Sequence, residues 1–498
     1  MKQLSFFIIT FIIVSILFGC GANNNNRPQT AVLSSGFFQD PIQGEIRVSA
    51  FDSMLYRNLL EEAAQAFEAL HPGVKVNIET FSAMPEVRRA DQGNNQVMTM
   101  QLQNDPQARS DYISRVNTNL MSGTGADLYA IDVLPLHRFV EGDVLENLEP
   151  YMENDPLFNR ADYRENILDA LKFRNGTWFF PLDYSFNYFA YDSTLIPLEI
   201  AAGFGIDKAW SAQELLDIGM DLYNGSYRLF NTMDHSRGPT NMFNLLLNSN
   251  IQSFVNLETR RPNFADGSFS SLLSSVRNYA EQGLIPRGLT GQQSAGQVMQ
   301  QAMAAPTDRF FFKLNSNVSL ITQFSRDTGR MLRVQTGGIA PAIEENDEIA
   351  GIEANAQGLV PFRYNQGFGI NSRSENKATA WAFLKFLLSR EMQLSTNVLG
   401  TGLPIHNEAR QEKAELSFSG ALMGGSAIIS LNEQQRQSLE FYRTAVETLS
   451  DSINTFIIQD TSINDMIAEE VVFFFGGSRS ADEVARVLQN KADLYLSE

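Results

Sequence analysis

The feature that most constrains the fold is an alternation of strand and helix patterns that begins at residue 46. Residues 46–51 (Ile-Arg-Val-Ser-Ala-Phe) alternate as a strand does. From Leu55 to Leu70 the apolar side chains recur at helical spacing, and the turn 71–73 (His-Pro-Gly) ends that helix. Residues 74–78 form a second alternating strand. This order predicts a right-handed crossover and a parallel sheet covered by helices.

Later segments continue the mixed α/β pattern. Residues 127–132 (Asp-Leu-Tyr-Ala-Ile-Asp) are typical of a buried strand that ends in a carboxylate, and the next helix is predicted to begin at Leu134. Three Ser–Glu pairs predict helices that begin with a capping box. The pairs are Ser211 with Glu214, Ser372 with Glu375, and Ser480 with Glu483. The chain has no short repeat, which excludes solenoids and propellers.

The charge balance narrows the range of partners. Of 498 residues, 38 are basic and 57 are acidic, so the net charge is −19. An acidic surface repels phosphate backbones and gains no attraction to an anionic membrane. We therefore expect no nucleic-acid partner. A chain of this length has room for about two to four domains.

Residue types that carry catalysis or bind metals are sparse. The only cysteine is Cys20, which excludes a disulfide framework and a cysteine zinc site. The four histidines form no HExxH motif and no pair with metal-ligand spacing, and the sequence lacks P-loop, GxSxG and GxGxxG motifs. We therefore predict neither cofactor nor metal. The many carboxylates leave a glycosidase open, although no eightfold strand–helix series is visible.

The N-terminus has the pattern of an export signal. Lys2 precedes an almost unbroken apolar run over residues 4–18, which suits a signal peptide and is short for a membrane span. The run ends in Leu-Phe-Gly-Cys at 17–20, which resembles the lipobox of bacterial lipoproteins. That resemblance implies cleavage before Cys20 and a diacylglyceryl group on its thiol. The alternative is an uncleaved N-terminal anchor.

A polar segment follows the cysteine. Residues 21–30 include four consecutive asparagines and have little to bury, so they predict a flexible tether. We place the signal peptide at 1–19 and the lipidated cysteine with its tether at 20–43. Both interpretations of the N-terminus place the remaining chain outside the cytoplasm.

Four later stretches, in this order, carry a resemblance to a known family. They are 122–128 (Ser-Gly-Thr-Gly-Ala-Asp-Leu) continuing to Leu148, 175–181 (Asn-Gly-Thr-Trp-Phe-Phe-Pro) with Tyr188 to Asp192, Gly369 to Met392 with Gly402-Leu403-Pro404, and Gly476 to Leu496. The order resembles the extracellular solute-binding proteins of ABC importers, in the maltose-binding-protein-like group. Asp192-Ser193 departs from the family ending of the second stretch. Together the stretches span about residues 45–498.

The resemblance implies a two-lobed α/β fold of the periplasmic-binding-protein type. A ligand cleft would lie between the lobes, outside the strand ends, and would close by hinge motion. The predicted lobe 1 comprises 44–183 and 344–405, and the predicted lobe 2 comprises 184–343 and 406–498. The predicted crossings between the lobes lie near Pro181–Tyr191, Gly338–Glu344 and Pro404.

The function implied by the resemblance is capture of an extracellular solute without turnover. The solute would be a mono- or oligosaccharide, delivered to the permease subunits of an ABC transporter. The protein would be a monomer held by its lipid anchor at the extracellular face of the cell membrane. A surface-anchored carbohydrate-active enzyme or an adhesin is the alternative, and a receptor differs from an enzyme in leaving its ligand unchanged.

Candidate ligand contacts lie at the ends of predicted strands. A sugar needs flat aromatic rings for its C–H faces and carboxylate, amide or guanidinium groups for its hydroxyls. Phe51 and Asp52 end the first strand. Asp132 ends the strand after the turn at 122–125, where the alternative role is an N-cap for the next helix.

Further candidates lie at the predicted crossings and in lobe 2. Asp183 and Tyr184 follow Pro181 and form an aromatic–carboxylate pair. In the family, a stacking aromatic often lies where this chain has Arg309 and Phe310. The last group, ahead of the strand at Gly369, is Tyr364, Asn365 and Phe368.

Overall fold

The computed structural model describes most of the chain beyond the N-terminal region. The described residues are 38, 42–51, 54–81, 106–231, 238–285, 309–317, 346–395, 402–419 and 431–497. The predicted signal peptide, Cys20, Asp52 and the predicted crossing at Gly338–Glu344 lie outside them. None of the helices within these ranges has the length and apolar character needed to span a membrane.

Helices and strands alternate along the described chain. The helices are α1 Met54–Leu70, α2 Pro106–Met121, α3 Leu136–Glu141, α4 Glu149–Asn154, α5 Glu165–Ala170, α6 Leu198–Ala201, α7 Ala212–Leu222, α8 Gly238–Asn248, α9 Ile251–Phe254, α10 Ser268–Glu281, α11 Lys377–Leu387, α12 Arg390–Gln393, α13 Asn407–Ser419, α14 Glu433–Asp451, α15 Thr461–Phe475 and α16 Ala481–Ser497. The strands are β1 Gly44–Phe51, β2 Val74–Phe81, β3 Leu128–Ala130, β4 Phe180–Pro181, β5 Asp183–Tyr184, β6 Asn187–Asp192, β7 Ala209–Ser211, β8 Arg228–Asn231, β9 Val255–Asn256, β10 Arg261–Pro262, β11 Phe310–Ser316, β12 Asp347–Ala354, β13 Pro361–Phe362, β14 Gly367–Ile370, β15 Leu403–Pro404 and β16 Thr455–Phe456.

The first sheet builds lobe 1 and confirms the predicted strand–helix–strand unit. Its order is β2-β1-β3-β14-β4. β1 runs parallel to both neighbours, with Val48 beside Ile78 and Leu128. Helix α1 buries Leu59 and Phe67, two turns apart, in the core beneath this sheet. The carboxyl ends of the parallel strands therefore share one edge, where open α/β sheets bind ligands.

The second sheet builds lobe 2. Its order is β7-β12-β6-β11-β8, and β6 runs antiparallel to both β11 and β12. A second core forms around Phe230 and Phe312, and helices α15 and α16 contribute Val471 and Leu488 to it. Two sheets, each with its own apolar core, confirm the two-lobed α/β fold.

Within the described ranges the chain crosses between the sheets three times, and the crossings meet. The first crossing falls between β4 and β6, inside the predicted segment. The chain returns between β12 and β14, and it crosses again between α14 and α15. At the junction, Ser185 and Arg363 exchange backbone hydrogen bonds of 2.7 and 2.8 Å, and β13 pairs in parallel with β16. We call Ser185, Pro361–Arg363 and β16 the hinge strands.

Three elements lie in the lobe opposite to the one predicted: strand β12 and helices α13 and α14. Helix α13, within the range 406–498 assigned to lobe 2, buries Phe418 in the first core. Strand β12, within the range 344–405 assigned to lobe 1, completes the second sheet by pairing with β6. Helix α14, within the range 406–498 assigned to lobe 2, buries Leu439 and Leu449 in the first core. The third crossing lies at β16 and not near Pro404, because β15 pairs with β5. An apolar stripe predicts that a helix is buried but does not specify which core receives it.

Two of the three predicted capping boxes are confirmed. The Ser211 and Ser480 hydroxyls each accept the backbone N–H three residues on, and each Glu side chain accepts in return. Ser372 does not begin a helix, since its hydroxyl donates to the carbonyl of Asp143 and α11 begins after Asn376. A carbonyl from a distant segment has replaced the local backbone N–H as the partner of this hydroxyl.

The end of the predicted tether is not free of the fold. The Phe38 ring lies edge-on to Tyr151 with centroids 6.3 Å apart. Ile42 also packs against the first core. Two apolar side chains within a polar segment therefore fasten its last residues to lobe 1.

Candidate functional site

A cleft of about 180 Å³ lies where the hinge strands meet the ligand edge of the first sheet. Lobe 1 contributes residues after β3, lobe 2 contributes the end of α8, and the hinge strands and the chain after them form the remaining wall. The lining residues are Ile131, Asp132, Leu134, Leu136, Asn248, Pro361, Phe362, Arg363, Tyr364, Phe456, Ile457, Ile458 and Gln459. The cleft thus draws on both lobes and on the segments that join them.

Asp132 brings a carboxylate to the cleft from lobe 1. It follows β3 at the ligand edge of the sheet, and its Oδ1 is buried. Asp132 does not cap α3, whose N-cap residue is Pro135. Burial raises the pKa of the Tyr364 phenol, and the charges of Asp132 and Asp183 raise it further. The cleft therefore holds a carboxylate and a neutral phenol, which can both donate and accept a hydrogen bond.

Aromatic rings form one wall of the cleft. Tyr364 and Phe456 lie with ring centroids 5.7 Å apart, and both are half-buried. The Phe179 ring centroid lies 4.9 Å from that of Tyr364, and the ring of Phe362, which also lines the cleft, lies 5.3 Å from that of Phe456. These contacts fix the rings, so the wall offers an ordered apolar surface at little conformational cost.

Arg363 brings a guanidinium group to the cleft, and lobe 2 holds it in place. The buried carboxylate of Glu353 accepts hydrogen bonds from Arg363 Nη1 at 3.3 Å, from Asn187 Nδ2 at 2.7 Å and from the hydroxyl of Ser249. The backbone of Arg363 is fixed to Ser185 at the first crossing. A cation on the hinge is therefore oriented and balanced by a carboxylate from the second sheet.

Asp183 and Tyr184, predicted to face the cleft, are buried inside lobe 1. Asp183 accepts from the backbone N–H and the side-chain amide of Asn365 at 2.8 and 2.7 Å. Burial raises the pKa of its carboxyl above the ordinary value despite these bonds. The Tyr184 hydroxyl donates to Ser450 Oγ at 3.2 Å, and its side chain is fully buried. Because β5 pairs with β15, the two side chains belong to lobe 1 and do not line the cleft.

Three further candidates have structural partners within one lobe. Arg309 donates to the Asp192 carboxylate at 2.6 Å. Phe310 is buried in β11 of the second sheet, and Phe368 is fully buried in β14 of the first. A position near a strand end in the sequence therefore does not by itself distinguish a residue of the core from a residue that lines the cleft.

Two candidates lie beside the cleft without lining it. Phe51 ends β1 at the ligand edge, where its ring packs against Phe81 and Tyr112 with centroids 6.4 and 5.7 Å away. Asn365 is exposed, but its amide is committed to Asp183. Of the predicted residues that the structure describes, only Asp132 and Tyr364 therefore line the cleft together.

Five polar or aromatic residues of the cleft were not predicted. They are Asn248, Phe362, Arg363, Phe456 and Gln459. Arg363 lies next to a predicted residue, so its charge beside Tyr364 was a usable signal. Phe456 lies in a strand of two residues, which is too short for any periodicity to be recognised.

Solved structures of solute-binding proteins share this fold at low sequence identity. An extracellular solute-binding protein of family 1 from Alicyclobacillus acidocaldarius matches with a TM-score of 0.53 and 14% identity, over 92% of this chain and 100% of that one. The sugar-binding protein MalE from Xanthomonas citri gives 0.53 and 15%, over 91% and 98%. An ABC substrate-binding protein from Listeria monocytogenes, in complex with cycloalternan, gives 0.50 and 15%, over 91% and 99%.

Sequence comparison identifies the family directly. No curated protein matches the chain. The family model described as bacterial extracellular solute-binding protein matches residues 100–423, well over half of the 498. The matched range contains Asp132, Arg363 and Tyr364 of the cleft. By its sequence and its two-lobed fold, this chain belongs to the family of bacterial extracellular solute-binding proteins.

Proposed function

We propose that this protein captures a carbohydrate in the interlobe cleft and delivers it to the permease of an ABC importer. One observation carries the proposal most strongly. The cleft combines an aromatic wall, Tyr364 and Phe456, with the carboxylate of Asp132 and the guanidinium of Arg363. Asn248 and Gln459 add amides. Flat apolar rings beside several hydrogen-bonding groups match a sugar, which has apolar C–H faces and a rim of hydroxyls.

The energetics of such a site suit reversible capture. A hydrogen bond contributes about 0.5–1.5 kcal/mol net, and bonds to charged groups contribute about 1.5–3 kcal/mol. Two charged partners and one stacking ring therefore each add an increment of this modest size, against which the cost of association is set, so binding of this kind is reversible.

Known ligands of structural relatives support the sugar assignment. The Xanthomonas citri relative is a sugar-binding protein, and the Listeria monocytogenes relative holds cycloalternan. Both share the two-lobed fold, in which the ligand lies between the lobes. Asp132, Tyr364 and Arg363 would contact the sugar at the corresponding place in this chain.

Anchoring at the membrane follows from the N-terminal pattern. The Leu-Phe-Gly-Cys sequence at 17–20 would direct lipidation of Cys20 and removal of residues 1–19. Two acyl chains on one cysteine give stable anchoring, with about 0.8 kcal/mol from each buried methylene. The tether would keep a monomer close to its permease at the extracellular face of the membrane.

The division into lobes that best accounts for the sheets and cores differs from the one expected from sequence. We assign residues 44–184 and 364–454 to lobe 1, and 187–354 and 457–497 to lobe 2. Sheet membership supports the boundaries at 184/187 and 354/364. The placement of α14 and α15 in different cores supports the boundary at 454/457. Closure would then rotate the lobes about the hinge strands.

A thermal-shift screen over mono- and oligosaccharides tests the proposal. A ligand at one hundred times its dissociation constant stabilises the native state by about 2.7 kcal/mol, which raises the melting temperature measurably. We expect at least one sugar to raise the melting temperature of the wild type clearly more than that of Asp132→Asn, because a tenfold loss of affinity reduces the stabilisation to about 1.4 kcal/mol. Glu153→Gln, an exposed position on α4, is the matched control and should respond as the wild type does.

Two outcomes would contradict the proposal. One is a wild type that responds to no sugar while an unrelated solute class stabilises it. The other is chemical conversion of the stabilising sugar, measured by chromatography after incubation, because a receptor returns its ligand unchanged.

A further inference from the structure

Outside the cleft, helix α3 of lobe 1 contacts the last two helices of lobe 2. His137 and Arg138 project from α3, whose Leu136 and Phe139 are buried in the first core. They meet Asp460, the N-cap of α15, and Tyr495 near the end of α16. We call these four residues, His137, Arg138, Asp460 and Tyr495, the α3 latch.

Asp460 is held rigidly on the lobe 2 side. Its Oδ1 accepts the backbone N–H groups of Ser462 and Ile463 at 2.8 and 3.1 Å, which caps α15. Its Oδ2 accepts the Tyr495 hydroxyl at 2.8 Å and lies 3.5 Å from His137 Nδ1. Asp460 is 3% exposed and His137 is 1% exposed, so the contact excludes solvent.

Arg138 makes the second half of the contact. Its guanidinium carbon lies 4.0 Å from the centroid of the Tyr495 ring, and Nη2 donates to the Tyr495 carbonyl. A guanidinium that stacks on a ring and also donates a hydrogen bond is a specific, oriented contact. One residue of α16 therefore receives both the stacking and the hydrogen bond from lobe 1.

Neighbouring ion pairs extend the same interface. Glu141, at the end of α3, pairs with Arg260 of the segment between β9 and β10. Arg109 of α2 pairs with Asp465 of α15 at 2.8 Å. A cavity of about 220 Å³ lies beside the latch, lined by His137, Arg138, Glu141, Gly142, Arg260 and Leu496. The two lobes thus meet here through charged side chains with space between them, as expected of surfaces that separate and rejoin.

The latch and the cleft are adjacent in sequence on both lobes. Leu136 lines the cleft and His137 begins the latch; likewise Gln459 lines the cleft and Asp460 belongs to the latch. A rigid-body rotation that opens the cleft therefore also carries α3 away from α15 and α16. Neither Arg138 nor Tyr495 lines the cleft, so a change at either acts without removing a ligand contact.

We propose that the α3 latch stabilises the closed arrangement of the lobes and thereby sets the ligand affinity from outside the binding site. Apparent affinity scales with the fraction of protein in the binding-competent state. Loss of the latch lowers that fraction and weakens binding of any ligand by the same factor. The latch does not depend on the ligand being a sugar.

Interlobe distances in the unliganded protein test this directly. Spin labels at Glu153→Cys in lobe 1 and Lys208→Cys in lobe 2, in a Cys20→Ser background of the full chain in detergent, give the distance distribution by pulsed electron resonance. We expect Arg138→Gln to reduce the closed-to-open ratio roughly tenfold, because it removes a half-buried cation–ring contact and a charge-assisted hydrogen bond. Arg390→Gln is the matched control, since Arg390 is exposed and pairs with Glu412 within lobe 1.

Each outcome decides the question. A shift with Arg138→Gln and none with Arg390→Gln supports the latch. A wild-type distribution without the closed distance, an unchanged distribution in Arg138→Gln, or an equal shift in the control overturns it. Should Arg138→Gln fail to fold, Tyr495→Leu, which removes the ring and the hydroxyl, is measured in its place, and the same shift is expected. No sugar is present in this experiment, so its failure and that of the proposed function are separable.

Discussion

Lys313 Nζ lies 2.9 Å from both carboxylate oxygens of Asp347, and the two residues flank β6 from the strands on either side of it. The side chains are 2% and 0% exposed. Lys313→Met leaves the Asp347 carboxylate buried without this partner, which costs about 3–5 kcal/mol. Urea denaturation measures the loss as a lower midpoint.

The double variant Lys313→Met/Asp347→Leu provides the control for that prediction. Replacing a buried ion pair by apolar groups of similar volume is often neutral or stabilising. We therefore expect the double variant to recover most of the stability that the single variant loses. A single variant as stable as the wild type would contradict the structural role of the pair.

Ligand affinity should depend on Asp132 more than on any other lobe 1 carboxylate. Asp132→Asn keeps the shape of the side chain but removes the charge from its hydrogen bonds with ligand hydroxyls. We expect binding to weaken roughly tenfold, equivalent to about 1.4 kcal/mol. Calorimetric titration with the stabilising sugar measures this. An unchanged dissociation constant would remove Asp132 from the site, and a marked fall in the unliganded melting temperature would assign it a structural role.

Substitution of Tyr184 should lower the stability of the fold and should not remove a ligand contact. Its side chain is fully buried in the first core, and its hydroxyl is bonded to Ser450. Tyr184→Ala creates a cavity and is expected to cost about 3–5 kcal/mol, by analogy with Phe→Ala in cores. Thermal melting of the unliganded protein checks this. A variant that melts normally yet fails to bind would restore Tyr184 to the ligand site.

Acidification should destabilise the protein through His137. Burial lowers the pKa of this imidazole below the ordinary 6.5; Arg138 and Arg260 lower it further, and Asp460 and Glu141 oppose the shift. Below about pH 6.5 His137 is then protonated in the unfolded chain but stays neutral in the folded protein. The contribution of neutral His137 is thus fully present above pH 6.5 and is lost as the pH falls towards its lowered pKa.

The free energy of unfolding, measured by urea titration from pH 7.5 to pH 5, should therefore fall in the wild type. His137→Gln, which cannot take up a proton, should flatten that dependence. Equal slopes in the two proteins would show that His137 does not titrate on unfolding in this range.

Membrane attachment should depend on Cys20. Cys20→Ser removes the thiol that we propose is lipidated, so the protein should be released or remain uncleaved. Cell fractionation and mass spectrometry of the N-terminus distinguish these products from the wild type. A Cys20→Ser protein that is still processed and membrane-bound would contradict lipidation.

Local physical rules explain what could be predicted before the fold was known. Strand β1 and helix α1 follow from side-chain periodicity, and the caps at Ser211 and Ser480 follow from a hydroxyl and a carboxylate three residues apart. Asp132 was identified because a carboxylate that ends a parallel strand lies at the ligand edge. Each of these predictions depends on neighbours along the chain.

The sequence by itself determined the family, the mixed α/β composition, the export pattern at Cys20 and one side of the cleft. Tertiary structure alone decided that Tyr184 is core, that β12 joins the second sheet, and that Arg363 and Phe456 line the cleft. The hinge strands are too short to have a periodicity, and their pairing joins residues far apart in the chain. The packing of the two cores against the crossings decides which side chains line the cleft. The spacing of residues along the chain does not encode that packing.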